Sequence, residues 1–356
     1  MKQKYSKNIS NFDKKMKKVE FLLNKGEIMP KNYDESVFEI SKDEQDYVKR
    51  AIKLFEEKEK SFETRYRSWD SCHNFFNELY KKNHGKKFEE LSDVEKELAL
   101  LNLSYYLASW GMYRGSSFTL QFDNSIFKDV ISTVLKDDFK ILWNLNLETI
   151  KKFYNENDDS KNEVLMRLIL VRNELNEVLK PYRQHFSSKS DVRVKQTNEE
   201  KEVSQTLITK ILLGTICCCP AYDQFYYSAV DSAFNNFFKD YKVKNLLKRI
   251  VKNEEFFKEL NADKKYPLMK QIDMAYFTIG LEKDFYENYY KKYIVNNIVP
   301  SGDENKQLRK YLNQFYYKYN EKSPCKLHVA FIHDEAIKAK AERYIKQNFV
   351  DRERDK

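Results

Sequence analysis

The chain has 356 residues, a hydrophobic fraction of 41% and a formal net charge of +9 at pH 7. This hydrophobic fraction excludes a chain that is disordered throughout, and the length allows one large domain or two ordinary ones. Only 13 of the 64 basic residues are arginine, on which phosphate and base recognition mostly depend, so the charge favours a nucleic-acid partner only weakly.

Glycine and proline are scarce, with seven and six residues respectively. A many-stranded sheet needs these residues in its tight turns, whereas long helices joined by short polar connections need few of them. The composition therefore predicts a mostly α protein, a multi-helix globular bundle of one large domain or two closely packed helical domains.

The first part of the chain divides into a peripheral extension and a helical half. Residues 1–45 are rich in lysine, which predicts an N-terminal helical extension laid over the main body. Residues 46–181 form the first helical half. Within it, Ser92 and Glu95 match a helix-capping box, and the apolar run 98–110 predicts a helix that is buried on several sides.

Two further helical stretches follow at 127–153 and 161–179, and the second ends at Pro181. Residues 182–202 lack apolar periodicity, which predicts an exposed loop or linker. Residues 203–356 then form the second helical half. The elements predicted there, beyond the helices that flank Pro220, are helices at 246–260, 268–293 and 307–319, a last helix from Asp334, and a strand-like segment at 327–331.

The spacing of the cysteines helps to predict the cellular compartment of the protein. Five are present, and three of them are adjacent at 217–219, where neighbours cannot easily adopt disulfide geometry with one another. The chain also lacks a signal-peptide pattern and an apolar run of about 20 residues, so we expect a soluble, cytoplasmic protein without membrane contact. Residues 217–219 lie in an apolar run, which favours core packing over nucleophilic chemistry.

Metal and cofactor motifs are missing. Cys325, His328 and His333 come nearest to a zinc-ligand set, but they do not supply two paired clusters. Cys72 and His73 are adjacent on a predicted helix and therefore point in different directions. The chain has no glycine-rich phosphate loop and no Gly-x-Ser-x-Gly elbow. The sequence thus predicts no metal site and no cofactor.

Arg114 follows a predicted buried helix and lies between Gly111 and Gly115. An arginine in this position must reach solvent or meet an acidic or phosphate partner. Two interpretations stay open: Arg114 contacts a phosphate group of a substrate, or it forms a structural ion pair.

Lys210 and Asp223 are the only charged residues in the apolar segment 206–230. Loss of solvation lowers the pKa of a lysine amine, which makes Lys210 a candidate nucleophile that the carboxylate of Asp223 would orient. The alternative interpretation is a buried or half-buried salt bridge that fixes the turn at Pro220.

Four segments within residues 65–285 resemble those of a family of uncharacterised bacterial helical proteins: SWDSCHNFF, LASWGMYRGSSF, TKILLGT with PAYD, and YPLMKQIDMAYFTIG. The resemblance implies no established activity. It implies a shared framework, and framework residues are more often core than catalytic. The framework residues are Trp69, Trp110, Arg114, Lys210, Asp223 and Asp273.

Residues 206–230 are also similar to the end of the helix-hairpin-helix DNA glycosylases, with a threonine–lysine pair, an apolar helix and a Pro-x-x-Asp turn. In that family a lysine attacks the sugar carbon and a downstream aspartate assists, and the resemblance places these roles on Lys210 and Asp223. Base excision would also need a pocket for an extruded base. Aromatic residues that would line it are Trp110, Tyr222, Phe225 and Tyr226. The segment before the lysine, EVSQTLIT, departs from the family because it has no glycine for a hairpin that grips the DNA backbone.

Two functional hypotheses follow, and a small-molecule enzyme that uses the same pocket is a third option. In the first, the protein acts on DNA with glycosylase- or lyase-like chemistry, with Lys210 as the amine nucleophile, Asp223 as its carboxylate partner and Arg114 as a phosphate contact. In the second, it is a non-catalytic helical interaction module that binds a protein or nucleic-acid partner through an aromatic surface, and Lys210 is structural.

Overall fold

The structure is a computed structural model, and it describes residues 38–59, 67–114, 117–154, 162–189, 203–233, 243–262, 265–315, 339–340, 343–344 and 347–348. Several predicted features lie outside these residues. They are the extension as far as residue 37, residues 190–202 of the predicted loop 182–202, Cys325, His328 and His333, the strand-like segment 327–331 and most of the helix predicted from Asp334. Residues 182–189 of the predicted loop are instead helical.

The predicted mostly α architecture is confirmed, since the described residues form helices and no strands. The α-helices are α1 (Lys42–Glu59), α2 (Ser68–Asn83), α3 (Asp93–Ser109), α4 (Lys128–Val134), α5 (Leu147–Phe153), α6 (Glu163–Lys189), α7 (Gln205–Gly214), α8 (Gln224–Ala233), α9 (Val243–Lys252), α10 (Glu254–Leu260), α11 (Leu268–Phe285) and α12 (Gly302–Phe315). A π-helical stretch, Tyr286–Ile294, follows α11. None of these helices is long and apolar enough to cross a membrane.

The chain forms two compact units whose segments alternate along the sequence. Unit 1 comprises Met1–Ile40, Lys58–Asp223 and Phe237–Asp273. Unit 2 comprises Ser41–Glu57, Gln224–Asn236 and Met274–Lys356.

In unit 1, α3 packs between α2 and α7. The capping box predicted at its start is confirmed: the Ser92 hydroxyl accepts a hydrogen bond from the Glu95 amide at 3.3 Å, and the Glu95 carboxylate accepts one from the Ser92 amide at 3.0 Å. A Cβ added to Gly214, the last residue of α7, would overlap the buried ring of Tyr106. Glycine at this position therefore allows α7 to approach α3 closely.

In unit 2, aromatic side chains join three helices. The rings of Phe55 on α1 and Phe225 on α8 both contact Phe277 on α11 edge to face, with centroid distances of 6.3 and 5.3 Å. The Tyr47 hydroxyl donates a hydrogen bond of 3.1 Å to the Glu282 carboxylate, and burial together with this carboxylate raises the pKa of Tyr47.

Two helix boundaries differ from the prediction. The helix expected to end at Pro181 continues to the end of α6, because this proline is exposed and water can solvate the carbonyl that loses its amide donor. The stretch 127–153 is not one helix. It breaks into α4, a 3₁₀ turn at Asp137–Leu142 and α5, with Asn144 in the left-handed region at φ +52° before α5 begins.

The run 98–110 is buried on one side only, so the prediction of burial on several sides is wrong. Leu98, Leu101 and Tyr105 are 40, 59 and 57% exposed. The side of α3 that faces the core carries the buried residues Ala99, Leu103, Tyr106 and Leu107. Apolar residues occur all round this helix, but α2 and α7 cover only part of its circumference.

Candidate functional site

Lys210 lies in the middle of α7, a short helix that is buried over most of its length. The helix starts at the cap Ser204, whose hydroxyl accepts from the Leu207 amide at 3.2 Å, and every residue from Leu207 to Gly214 is buried. Lys210 itself is 4% exposed. Its charge is therefore held in the interior of unit 1, where it needs specific partners.

The Lys210 ammonium has hydrogen-bonding, ionic and aromatic partners. Its Nζ donates a hydrogen bond of 3.1 Å to the Trp110 carbonyl and lies 3.5 Å from Asp223 Oδ2. The same atom is 5.5 Å from the centroid of the Trp110 ring. Trp110 is the C-terminal cap of α3, so the cation also sits at the negative end of that helix dipole.

Two threonines on α7 bring Asp223 to the lysine. Thr206 donates its hydroxyl hydrogen to the Tyr222 carbonyl at 2.8 Å, and the Tyr222 amide donates to the hydroxyl oxygen of Thr209 at 2.8 Å. The threonines are three residues apart and thus lie on one face of the helix. They fix the turn before Asp223 against α7, next to Lys210.

A second buried ion pair lies beside the first. At the start of α11, Lys270 Nζ is 3.6 Å from Asp273 Oδ2, and the side chains are 1% and 10% exposed. The Lys270 ammonium is 5.0 Å from the centroid of the Trp69 ring and 6.0 Å from that of Trp110. Asp273 Oδ1 also accepts a 3.0 Å hydrogen bond from the Ala221 amide, so α11 holds the turn from another side.

We call these six residues the tryptophan–lysine cluster: Trp69, Trp110, Lys210, Asp223, Lys270 and Asp273. Burial raises the pKa of Asp273, an effect that the Lys270 ammonium and the Ala221 amide oppose. The two cations and two carboxylates balance one another in charge. The cluster thus combines amines and carboxylates in a poorly solvated setting, where proton transfer from an ammonium to a carboxylate is less costly than in water.

His73 supports the cluster without belonging to it. Its ring stacks on Trp69 at a centroid distance of 4.6 Å, and its Nδ1 donates to the Thr215 carbonyl at 2.9 Å. Trp69 in turn donates its indole hydrogen to the Leu213 carbonyl at 2.8 Å. Burial lowers the pKa of His73, which favours the neutral ring. These contacts fix the orientation of Trp69 at the end of α7.

The residues predicted to bind substrate lie in different surroundings. Trp110 belongs to the cluster, and Tyr222 is 4% exposed and joins the turn to α7 through its backbone. Arg114 is exposed, and its guanidinium lies over Gly111, where φ is +75°. No carboxylate of the described residues forms an ion pair with Arg114, and its side chain is open to solvent. Tyr226 belongs to unit 2, where its ring contacts Tyr276 at 5.8 Å.

Lys270 is the member of the cluster that sequence reasoning missed. The signal was present in YPLMKQIDMAYF, where a lysine and an aspartate three residues apart are the only charges in a largely apolar segment. This spacing places both side chains on one helix face. Such a pair in a buried helix indicates an internal ion pair in the same way as the pair formed by Lys210 and Asp223.

Metal and thiol chemistry find no support in the part of the chain that the structure describes. No group of three histidine, cysteine or acidic side chains there is placed to hold a metal ion. Cys72 and the cysteines at 217–219 are all buried, and burial raises the pKa of the Cys72 and Cys217 thiols. These thiols therefore act as small core side chains, as the sequence predicted.

No family model, no curated protein and no solved structure matches the chain. The two resemblances drawn from the sequence thus stay predictions, and the function has to be argued from the cluster and the surface of the molecule.

Proposed function

We propose that the protein acts on DNA through an amine nucleophile, in glycosylase- or lyase-like chemistry. The observation that carries the proposal is the buried contact of 3.5 Å between Lys210 Nζ and Asp223 Oδ2. A lysine that serves as a nucleophile must lose a proton, and an adjacent carboxylate in a poorly solvated site is a suitable acceptor.

The lyase reaction assigns a role to each group. Asp223 takes a proton from the ammonium of Lys210, and the neutral amine attacks the aldehyde carbon C1′ of an abasic site. Asp223 returns this proton to the hydroxyl of the resulting carbinolamine, which leaves as water, and an iminium ion remains. A base then removes a proton from C2′, the bond between C3′ and oxygen breaks, and the phosphate leaves with the electron pair. Water finally hydrolyses the unsaturated iminium ion, which releases the aldehyde and restores the amine of Lys210.

The surroundings support this assignment. Asp223 is the most exposed of the four charged side chains of the cluster at 13%, so we expect substrate to approach on its side. The Trp110 ring and carbonyl hold the amine in place on the other side. Arg114 is exposed and free of ion pairs with the described carboxylates, as a phosphate contact requires.

Borohydride trapping on abasic DNA tests the proposal. Reduction of the iminium ion should give a covalent adduct between the parent protein and duplex or single-stranded DNA with an abasic site. The adduct should disappear in Lys210→Met, which keeps the length of the side chain but lacks the amine.

Lys270→Met is the matched control, because Lys270 is equally buried, pairs with an aspartate and lies over the same tryptophan ring. It should keep the adduct. Circular dichroism would check that both variants are folded. An adduct that survives in folded Lys210→Met, or no adduct with the folded parent, would contradict the proposal.

A second candidate function is a helical interaction module, and a separate observation favours it. Four large apolar side chains on α3 are exposed in a row: Val94, Leu98, Leu101 and Tyr105. Exposed apolar patches of this kind often mark a binding surface. In this function Lys210 is structural, and no borohydride adduct forms.

A further inference from the structure

The exposed row on α3 is the main apolar surface of the described part of the chain. We call Val94, Leu98, Leu101 and Tyr105 the α3 stripe. Their side chains are 67, 40, 59 and 57% exposed, and only three other large apolar residues among those described are comparably exposed. The four follow one another at intervals of four, three and four residues. This spacing places them on one side of the helix and is that of a coiled-coil seam.

The α3 stripe is complementary to itself. Val94 lies as far before its midpoint as Tyr105 lies after it, and the same holds for Leu98 and Leu101. A two-fold axis through the midpoint would therefore place the small Val94 against the large Tyr105 of a second copy. It would also place Leu98 against Leu101 of that copy. Such a pairing of one surface with itself is the usual interface of a homodimer.

The charges near the two ends of α3 favour an antiparallel arrangement. Residues 86–97, near the N-terminal end, carry five acidic side chains against three lysines, and one of these lysines, Lys96, pairs with Asp93 at 3.1 Å. This end is therefore acidic on balance, and Arg114 is exposed just beyond the C-terminal end. Antiparallel packing brings the acidic end of each helix towards the Arg114 end of the other. It also sets the two helix dipoles in opposite directions. Parallel packing would instead bring the acidic ends together.

We propose that the α3 stripe is the contact between two copies of this chain, packed antiparallel about a two-fold axis. The proposal develops the interaction-module candidate and does not depend on the amine chemistry of Lys210. One helix from each copy buries less than the roughly 800 Å² per partner of a standard stable interface. The dimer is therefore weak, with a dissociation constant on the order of 10 µM.

Sedimentation velocity over a range of protein concentrations tests the dimer. The parent should shift from monomer to dimer as the concentration rises through the dissociation constant. Leu98→Glu and Leu101→Glu each introduce two charges into a symmetric interface. We expect each variant to raise the dissociation constant at least about 100-fold. A parent that remains monomeric over the whole range would overturn the proposal.

Two exposed apolar residues outside the stripe provide controls. Leu120 is 48% exposed in unit 1, and Ile298 is 51% exposed in unit 2. Leu120→Glu and Ile298→Glu should change the dissociation constant by less than about threefold. Equal loss of dimer in these controls and in the stripe variants would place the contact elsewhere on the molecule and overturn the proposal.

Disulfide trapping tests the orientation. Mild oxidation of a mixture of Val94→Cys and Tyr105→Cys should cross-link the two variants to each other, because these positions face one another only in the antiparallel arrangement. Parent protein oxidised alongside corrects for the natural cysteines. Cross-linking of Val94→Cys with itself, without the mixed product, would contradict the antiparallel dimer.

The borohydride experiment separates this proposal from the function proposed for Lys210. Leu98→Glu should behave as the parent does in the borohydride experiment, with or without an adduct, whereas Lys210→Met should still dimerise. The dimer and the amine chemistry of Lys210 can therefore be contradicted independently of each other.

Discussion

At the level of single residues, the cost of burying four charges explains the composition of the tryptophan–lysine cluster. An unpaired ion in the interior of a protein is strongly destabilising, and an ion pair alone often fails to offset the loss of solvation. Here each ammonium faces a carboxylate and an aromatic ring, and Lys210 also donates to a backbone carbonyl. Asp273 accepts from a backbone amide in addition.

Asp273 should make the stability of the protein depend on pH. Burial raises the pKa of this carboxyl above its value in the unfolded chain, so the folded state binds the proton more tightly. Its contribution to folding is then fully favourable below the unfolded pKa of about 4 and is lost as the pH rises through the folded pKa. Asp273→Asn can still accept from the Ala221 amide but does not titrate.

We therefore expect the free energy of unfolding of the parent, minus that of Asp273→Asn, to fall as the pH rises above about 4 and through the raised folded pKa of Asp273. Urea unfolding of both proteins at several pH values measures this difference. The slope of the unfolding free energy against urea concentration should be equal in the two proteins. Equal slopes would show that the substitution changes stability and not the surface exposed on unfolding. A difference that stays constant or increases with pH would contradict the sign of the pKa shift.

At the level of helices, close backbone contacts decide which residues fit. In unit 2, a Cβ added to Gly280 on α11 would overlap the carbonyl oxygen of Phe225 on α8. That oxygen is part of the backbone and cannot turn away as a flexible side chain would. We expect Gly280→Ala to lower the free energy of unfolding by about 3 kcal/mol, because the two helices must separate. Chemical denaturation measures the loss.

Gly302→Ala is the control for this prediction. Gly302 has a positive φ of 58° and no atom within 4 Å of an added Cβ, so alanine there introduces backbone strain without a collision. Its expected cost is about 1 kcal/mol. Equal losses in the two variants would show that the contact with Phe225 is not the cause.

The start or end of a helix could be predicted from the sequence where residues close together in the chain determine it. The capping box of Ser92 and Glu95 is such a signal, because both partners lie within one turn. The break of 127–153 at Asn144 and the continuation through Pro181 depend on what surrounds these residues in space. For the same reason the exposure of Leu98 was missed, since apolar periodicity does not tell how many neighbours a helix has.

The candidate site could likewise be predicted only in part. Two charges in the apolar segment 206–230 were enough to predict that Lys210 and Asp223 form a buried or half-buried pair, and they are 3.5 Å apart. Their link to a second pair, formed by Lys270 and Asp273, joins residues far apart in the sequence. Only the fold brings them to the same tryptophan ring.

At the level of the whole molecule, the basic residues behind the net charge of +9 are mostly lysines scattered along the chain. In the DNA-acting proposal this charge supplies an attraction that does not select a sequence. The proposal also assigns a specific phosphate contact to Arg114, in addition to this nonspecific attraction. Each phosphate that a protein neutralises contributes about 0.9 to the slope of the logarithm of affinity against the logarithm of salt concentration. Arg114→Gln should therefore reduce the magnitude of this slope by about one unit.

Fluorescence anisotropy with a labelled abasic duplex at several salt concentrations measures the slope. Lys82→Gln is a suitable control, because it removes the same charge from an exposed position on α2. If binding depended only on net charge, both substitutions would change the slope equally, and the role of Arg114 would be contradicted. A larger effect of Arg114→Gln would place the DNA backbone at the C-terminal end of α3. Lys210 donates its hydrogen bond at this same helix end, so such a result would connect the phosphate contact with the proposed nucleophile.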